Sequence, residues 1–306
     1  MEESAYSEIG FKGKYIRVRS RRVNGLTIVI RGDFLKKASL HEEEYQDVCD
    51  PSNVIKSLSA ISNKPDIFTF KQRYPDIVPH YGYHIEQEEI AVLPISSIDD
   101  WQNNRISNNT KRAIAKAKKN GVQIRLVNFD RAFIEGMKTI FDESPVRQRK
   151  PFWHYGKDLL TIEKEFSKFL FREDIIGAYL HENLVGFIFL AYTGRYAMPT
   201  QILSSLAHRD KGVVSALLAK AIEICVEKQI PYIIYGDWQE SSLTEFKRRN
   251  GFIKAHIPRY YVSLTLRGKL AINLGLHHRL PQLLPAPLRR FLLRLRSAWS
   301  NLKKRV

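Results

Sequence analysis

The sequence predicts an α+β fold: a central, mostly antiparallel sheet flanked by helices, with a β-rich N-terminal subdomain before it and a basic amphipathic tail after it. Three observations carry this prediction. Residues 232–252, YIIYGDWQESSLTEFKRRNGF, end a β-branched and aromatic strand at Gly236 and enter a short helix almost at once. Upstream, IIGAYLHENLVGFIFLAYTGRYAMPTQILSS reads as three strands with turns at Glu182-Asn183 and Thr193-Gly194, and a helix follows from about 212 to 228. From about 15 to 93, the extended segments YIRV, GLTIVIRG, DIFTF and EEIAVLPI recur with some helix between them.

Local chemistry supports each element. In the 232–252 run, Asp237 and Ser241 or Ser242 are candidate N-caps, Glu245 completes a capping box with Ser242, and Asn250-Gly251 supplies a left-handed stop. Leu243 and Phe246 share the buried face of this helix, and Lys247, Arg248 and Arg249 crowd its C-terminal end, where cations suit the dipole. Earlier, Asn108 or Asn109 is expected to cap a lysine-rich helix that stops at Asn120-Gly121. Its cations Lys111, Arg112, Lys116, Lys118 and Lys119 either face solvent or meet phosphates. From 130 to 143, Phe133, Met137, Ile140 and Phe141 form one apolar helical face, which is core. A second helix is expected from about 157 to 171.

At 306 residues the chain is long enough for two domains, and 44% hydrophobic with 26% charged is ordinary globular composition. Cys49 and Cys225 form no disulfide framework and lack metal-ligand spacing, which suits a reducing compartment. The start MEESAYSEIG is neither a secretory signal nor a transit peptide, and no apolar run reaches the ~18 residues of a membrane span. A cytoplasmic protein is expected. Aromatic residues gather between 68 and 83, where Pro75 and Pro79 break regular structure; this is a packed loop or, alternatively, a substrate wall. His80 and His84 lie there without HExxH or Cys-His spacing, so no metal site is expected.

The segment SPVRQRKPFWHYGKDLL interleaves cations with rings: Arg147, Arg149, Lys150, Trp153, His154, Tyr155 and Lys157. Arginine forks bind oxyanions and rings stack on flat faces, so these residues form a candidate binding surface for a phosphate- or carboxylate-bearing acceptor.

The 122–266 stretch, with its order of antiparallel strands, helix, strand and helix, resembles the GNAT-fold acyltransferases. Its FKRRNGF run is most similar to the phenylalanine-lysine-x-x-x-glycine signature of FemABX-type aminoacyl or peptidyl transferases. The resemblance covers a transferase domain over 122–266 and leaves open whether the β-rich subdomain over 1–100 is a second, degenerate copy of that fold, as in FemABX proteins. A basic connector helix over 101–121 precedes the transferase domain and a tail over 267–306 follows it. The resemblance also implies attack by an amine or hydroxyl on an activated acyl carbon. Lys247 matches the signature lysine and is expected to stabilise developing negative charge. Asp237 or Glu240 is placed to receive the nucleophile's proton, with His208 or Tyr261 assisting. The segment 144–160 and Phe246 are expected at the acceptor.

The donor depends on LSSLAHRDKGVVSALLAK. Acyl-CoA enzymes of this fold hold pyrophosphate on an arginine- or glutamine-x-x-glycine-x-glycine/alanine turn. Arg209 and Gly212 fit its first two fixed positions, Lys211 and Val213 flank them, and Val214 departs from the third. Acetyl-CoA therefore stays open as a donor beside aminoacyl-tRNA, which FemABX-like enzymes use without that loop. No metal cofactor is expected.

Charge completes the reading. The net charge is +17, and residues 267–306 carry ten cations and no carboxylate. Pro287 opens a predicted helix with Leu288, Phe291, Leu292, Leu295, Trp299 and Leu302 on one face and Arg289, Arg290, Arg294 and Arg296 on the rest. This composition fits the surface of an anionic membrane; docking on the protein's own surface and capture by a partner groove are the alternatives. The combined expectation is a transferase peripheral at the inner membrane face, acting on a small-molecule acceptor or a nucleotide- or lipid-linked glycan precursor. The alternative is a nucleic-acid-binding protein, tRNA included, on a catalytically inactive transferase fold.

Overall fold

A computed structural model describes residues 5–11, 14–148, 150–238 and 242–278. The elements run β1 (Ala5–Phe11), β2 (Lys14–Val23), β3 (Leu26–Arg31), β4 (Lys37–Leu40), α1 (Pro51–Ser59), β5 (Ile67–Lys71), β6 (His84–Pro94), α2 (Ile98–Asp100), α3 (Asn108–Lys119), β7 (Gln123–Leu126) and α4 (Arg131–Asp142). A two-stranded ribbon follows, β8 (Val146–Arg147) and β9 (Lys150–Pro151), and then α5 (Leu159–Phe166), β10 (Glu173–Leu180), β11 (Asn183–Tyr192), β12 (Ala197–Ser204), α6 (Val213–Glu227), β13 (Tyr232–Asp237), α7 (Ser242–Arg249), β14 (Ile253–Ser263) and α8 (Leu266–Asn273).

Twelve of the strands form one sheet in the order β1-β2-β3-β4-β5-β14-β6-β13-β12-β11-β10-β7. Most neighbours are antiparallel. The exceptions are β4 beside β5 and β12 beside β13, each pair joined by a crossover that contains a helix, α1 or α6. The fold is the expected α+β class with a mostly antiparallel sheet. It also has a symmetry of order. Strands β2 to β5 repeat the connections of β10 to β13, and each set lends its last strand to the other: β14 lies against β5, β6 lies against β13, and the two pair with each other from Ile253↔Val92 to Tyr261↔His84. The connector expected around 101–121 therefore marks a change in the chain's path, while the sheet continues across it.

Helices cover both faces. The strand β11 sits in the middle of the second set and is buried along almost its whole length. Its Phe187 and Phe189 join Phe133, Met137 and Phe141 of α4. Its Ile188 and Leu190 join Leu217, Ala221 and Ile222 of α6. A Cβ at Gly186 would lie 2.7 Å from Val213 Cγ1, so α6 rests directly on the strand there. In the first set, α1 brings Val54 and Leu58 onto Ile28, Phe68, Phe70 and Tyr260.

Caps refine the expected boundaries. Ser107 rather than Asn108 caps α3, with its Oγ accepting from Thr110 N at 3.2 Å, and Asp130 caps α4 in the same way at 2.8 Å. The helix expected from 157 to 171 is α5 followed by a 3-10 segment, Ser167–Arg172. α7 stops at Gly251 with φ at 86°, the left-handed stop that Asn250-Gly251 predicts. Residue 266 opens α8, capped by Thr265, and the predicted amphipathic helix around 287–302 lies outside the described residues.

Candidate active site

Strands β12 and β13 share one pair of partners, Ala197↔Ile233, and then part. The gap opens into a cleft of 790 Å³, the α6 cleft, whose wall includes Ser204, Gly212, Val214, Ser215, Tyr235 and Phe246. The N-terminus of α6 stands at this cleft. No side chain caps it, so its first N–H groups and the positive end of its dipole serve the space in front of it. Gly212 carries φ of 74°, which favours glycine, and a Cβ there would fall 2.1 Å from the Ala113 carbonyl oxygen. The basic helix α3 thus packs against this turn and brings Arg112 and Lys116 to the same wall.

Four cations line the cleft. Lys116 sits 3.5 Å from Asp210, both of them well exposed. Arg147 is 9% exposed; its Nη1 donates to Ser204 O at 2.8 Å, and its Nη2 donates to Ile140 O and Glu143 Oε2 at 2.7 and 2.9 Å. Its Nε is buried without a partner. Burial holds this guanidinium below its ordinary pKa against the pull of Glu143, and nearby Arg209 adds to the lowering. Arg112 and Arg209, both exposed, have no carboxylate at ion-pair distance among the described residues. An uncapped helix N-terminus beside unpaired arginines is a site for an anion.

The structure sorts the sequence candidates. Arg147, Arg209, Gly212 and Phe246 line the cleft. Lys211 lies outside its wall, and Val213, 1% exposed, points into the core under α6. Asp237 is exposed at the end of β13. Lys247 is 2% exposed and stands behind the wall: its Nζ donates to Asp237 O at 2.7 Å and lies 4.9 Å from the Tyr235 ring centroid. Burial pulls its ammonium below the ordinary pKa, with the Asp237 charge opposing. In this arrangement Lys247 secures the strand end rather than reaching the open cleft. His208 is half-buried with Nδ1 unpartnered, next to the turn but off the wall.

Tyr261 is elsewhere. It lies on β14 in a second cleft of 890 Å³, the α8 cleft, whose lining has Gln201 in common with the α6 cleft, and burial pushes its hydroxyl up to about 12. His154 and Lys157 also turn away from the α6 cleft. His154 stacks on Phe141 at 4.7 Å between Phe152 and Phe166, and Lys157 pairs with Glu165 at 2.5 Å. Trp153 and Tyr155 are 54% and 47% exposed and line neither cleft. Arg149, Glu240, Arg289, Arg290, Phe291, Arg294 and Trp299 lie outside the described residues. Sequence reasoning gave Arg112 and Lys116 no place in the cleft, although it grouped them as a basic cluster; only the packing of α3 on Gly212 shows where they face.

The fold is one that several solved structures share. Among solved structures, FemX superposes with a TM-score of 0.60 at 11% identity, covering 89% of this chain and 90% of its own. The C-terminal domain assigned to a lysylphosphatidylglycerol synthetase of Agrobacterium fabrum gives 0.57 at 12% identity, covering 84% of this chain and 87% of that one. L-PGS of Bacillus licheniformis gives 0.54 at 16%, covering 84% and 88%. No protein-family model and no curated protein sequence matches the chain.

Proposed function

We propose that the protein is an acyl or aminoacyl transferase whose chemistry takes place in the α6 cleft. The observation that carries this reading is the uncapped N-terminus of α6 standing between parting strands beside Arg112 and Arg209, which meet no carboxylate among the described residues. Those groups hold the phosphate of an activated donor and orient its acyl carbon near the end of β13. There Asp237 accepts the proton of the attacking amine or hydroxyl as the new acyl bond forms. The acyl–oxygen or acyl–sulfur bond to the donor breaks, its leaving hydroxyl or thiol takes up that proton, and backbone N–H groups of α6 face the charge that develops. Lys247 holds the carbonyl of Asp237 and so fixes the strand end that carries this base.

Aminoacyl-tRNA is the donor this geometry favours over acetyl-CoA. Val214 sits on the cleft wall where a CoA loop places a small residue, α3 closes over Gly212, and the cations of α3 extend the positive surface beyond the cleft. The acceptor is an amine or hydroxyl of a lipid or lipid-linked cell-envelope precursor. The likeness to FemX and to a lysylphosphatidylglycerol synthetase domain supports that class, and the basic 267–306 segment would bring the enzyme to an anionic membrane. Among the described residues no helix is long and apolar enough to cross a membrane.

The test is calorimetric titration with acetyl-CoA, free CoA and total aminoacyl-tRNA, for the wild type and Arg209→Ala. Expected are no CoA binding at millimolar concentration and tRNA binding that weakens in the variant. CoA binding that Arg209→Ala abolishes would reverse the donor assignment. RNA binding with no transfer to any acceptor would leave the nucleic-acid-binding alternative.

A further inference from the structure

We propose that His84, Glu86 and His277 form a binding site for one divalent transition-metal ion of the zinc type on the wall of the α8 cleft. The site is independent of the α6 cleft and of the transferase reading. Residues 84 and 86 alternate along β6 and so project to the same face of the sheet. α8 ends at Asn273, and the turn that follows, with Gly275 at φ of 68°, brings His277 and His278 back against that face. One oxygen, Glu86 Oε1, then lies 2.6 Å from His277 Nε2, 3.1 Å from His278 Nε2 and 3.5 Å from His84 Nε2. The ligand atoms of His84, Glu86 and His277 are all within 4.8 Å of one another. Bonds of about 2.0–2.1 Å in a tetrahedron set ligand atoms about 3.3 Å apart, so small side-chain rotations around a central ion satisfy all three.

Three features distinguish this cluster from an ordinary hydrogen-bonded carboxylate. Most other carboxylates of the cleft are matched to cations, Glu42 to Arg172, Glu43 and Glu88 to Arg259, and Glu44 to Lys71, while Glu173 accepts from Thr200. Among the described residues the side-chain partners of Glu86 are all histidines. His277 is 2% exposed, and both of its ring nitrogens face oxygens: Nδ1 lies 3.4 Å from Ala271 O while Nε2 faces Glu86. With Nδ1 turned to the Ala271 carbonyl, Nε2 is the ring nitrogen presented to the Glu86 side, as a ligand of a shared cation would be. A histidine whose second nitrogen is fixed by a backbone carbonyl is the usual supporting shell of a metal ligand. His278 stands next to the open side, with its ring centroid 4.1 Å from that of His277.

The experiment strips the full chain with chelator, dialyses it against zinc and counts bound metal, with cobalt absorption as the spectroscopic readout of histidine ligation. One equivalent is expected, with affinity lowered roughly 100-fold in His84→Ala and Glu86→Gln and unchanged in His256→Ala, whose exposed imidazole pairs with Glu89 outside the cluster. Zinc should also raise the melting temperature of the wild type and not that of His84→Ala. Should the buried His277→Ala fail to fold, His84→Ala decides, because that side chain is 47% exposed. Retention of less than one equivalent at micromolar free zinc, or wild-type binding in both His84→Ala and Glu86→Gln, would overturn the site.

Discussion

The loops that lead into the two crossover helices, 41–50 before α1 and 205–212 before α6, hold matching places in the strand order and have opposite chemistry. In the first, every acid of the 42–47 stretch is engaged. Glu42 takes a bidentate bond from Arg172 at 3.0 Å, Glu43 one from Arg259 at 2.7 and 3.0 Å, and Asp47 one from Arg73 at 2.8 and 3.0 Å, while Glu44 accepts from Lys71 and from Tyr196 at 2.7 Å. Asp50 then caps α1, accepting from Asn53 N at 3.0 Å. Strands β4 and β5 share three pairs of partners. In the second loop Arg209 is unpaired among the described residues, α6 has no side-chain cap, and the strands share one pair. One topology therefore serves two ends. Saturated with counter-charge it becomes a joint between the halves, and left with surplus positive charge on parted strands it becomes a site.

The largest loss of stability is expected when the central cation of the joint is removed. Arg259→Ala leaves Glu43 and Glu88 facing each other in a largely buried place, and a cost of about 3–5 kcal/mol is expected. Urea denaturation should show a large fall in midpoint with unchanged slope. A loss below 1 kcal/mol would mean that the acidic loop does not hold the halves together. Next in size is Gly212→Ala, where positive φ and the collision with the Ala113 carbonyl together are expected to cost about 2–3 kcal/mol and to push α3 off the turn. If stability is kept, the packing of α3 on the α6 cleft is not what requires the glycine.

Much of this was legible in the residues because the signals were local. The strands 183–192 and 232–237, the helix 213–227 and the glycine stop at 251 follow from patterns a few residues long. The exchange of β6 and β14 was not legible, since it rests on pairings such as Arg259 with Glu88, 171 residues apart. The same distance hides the metal-ligand cluster: His84 alone has no ligand spacing, and its partner His277 arrives through α8. Lys247 was half legible. The motif singled it out among three cations, but its spacing of four from Leu243 already placed it toward the inner side of α7. Signature matching pointed it at a substrate, whereas helical geometry buries it against Tyr235 and Asp237.

A smaller effect separates the aromatic wall from the site beside it. Burial, with Lys157 close by, holds the His154 imidazole down at about 4. The folded state therefore disfavours protonation, and between about pH 6.5 and 4 the unfolded chain binds the extra proton. Stability falls as pH drops through that window, by on the order of 2 kcal/mol. His154→Phe keeps the stack on Phe141 and removes the titration, so its stability should vary less with pH across the window than that of the wild type. Parallel curves would place His154 at the exposed acceptor surface that its sequence context predicts.

The smallest stability change belongs to the residue expected to matter most for binding. Arg209 is exposed, has no ion pair among the described residues and adds positive charge beside Arg147, so Arg209→Ala should leave stability within about 0.5 kcal/mol. Its effect should appear only in anion binding, as a weaker affinity for pyrophosphate or RNA and a shallower dependence on salt. The matching change in the first loop, Glu43→Ala, should do the reverse: it removes the partner of a buried arginine, destabilises by several kcal/mol and leaves anion binding alone. If both variants lose stability equally, positive charge at 209 is holding the loop together, and the α6 cleft is a second joint rather than a site.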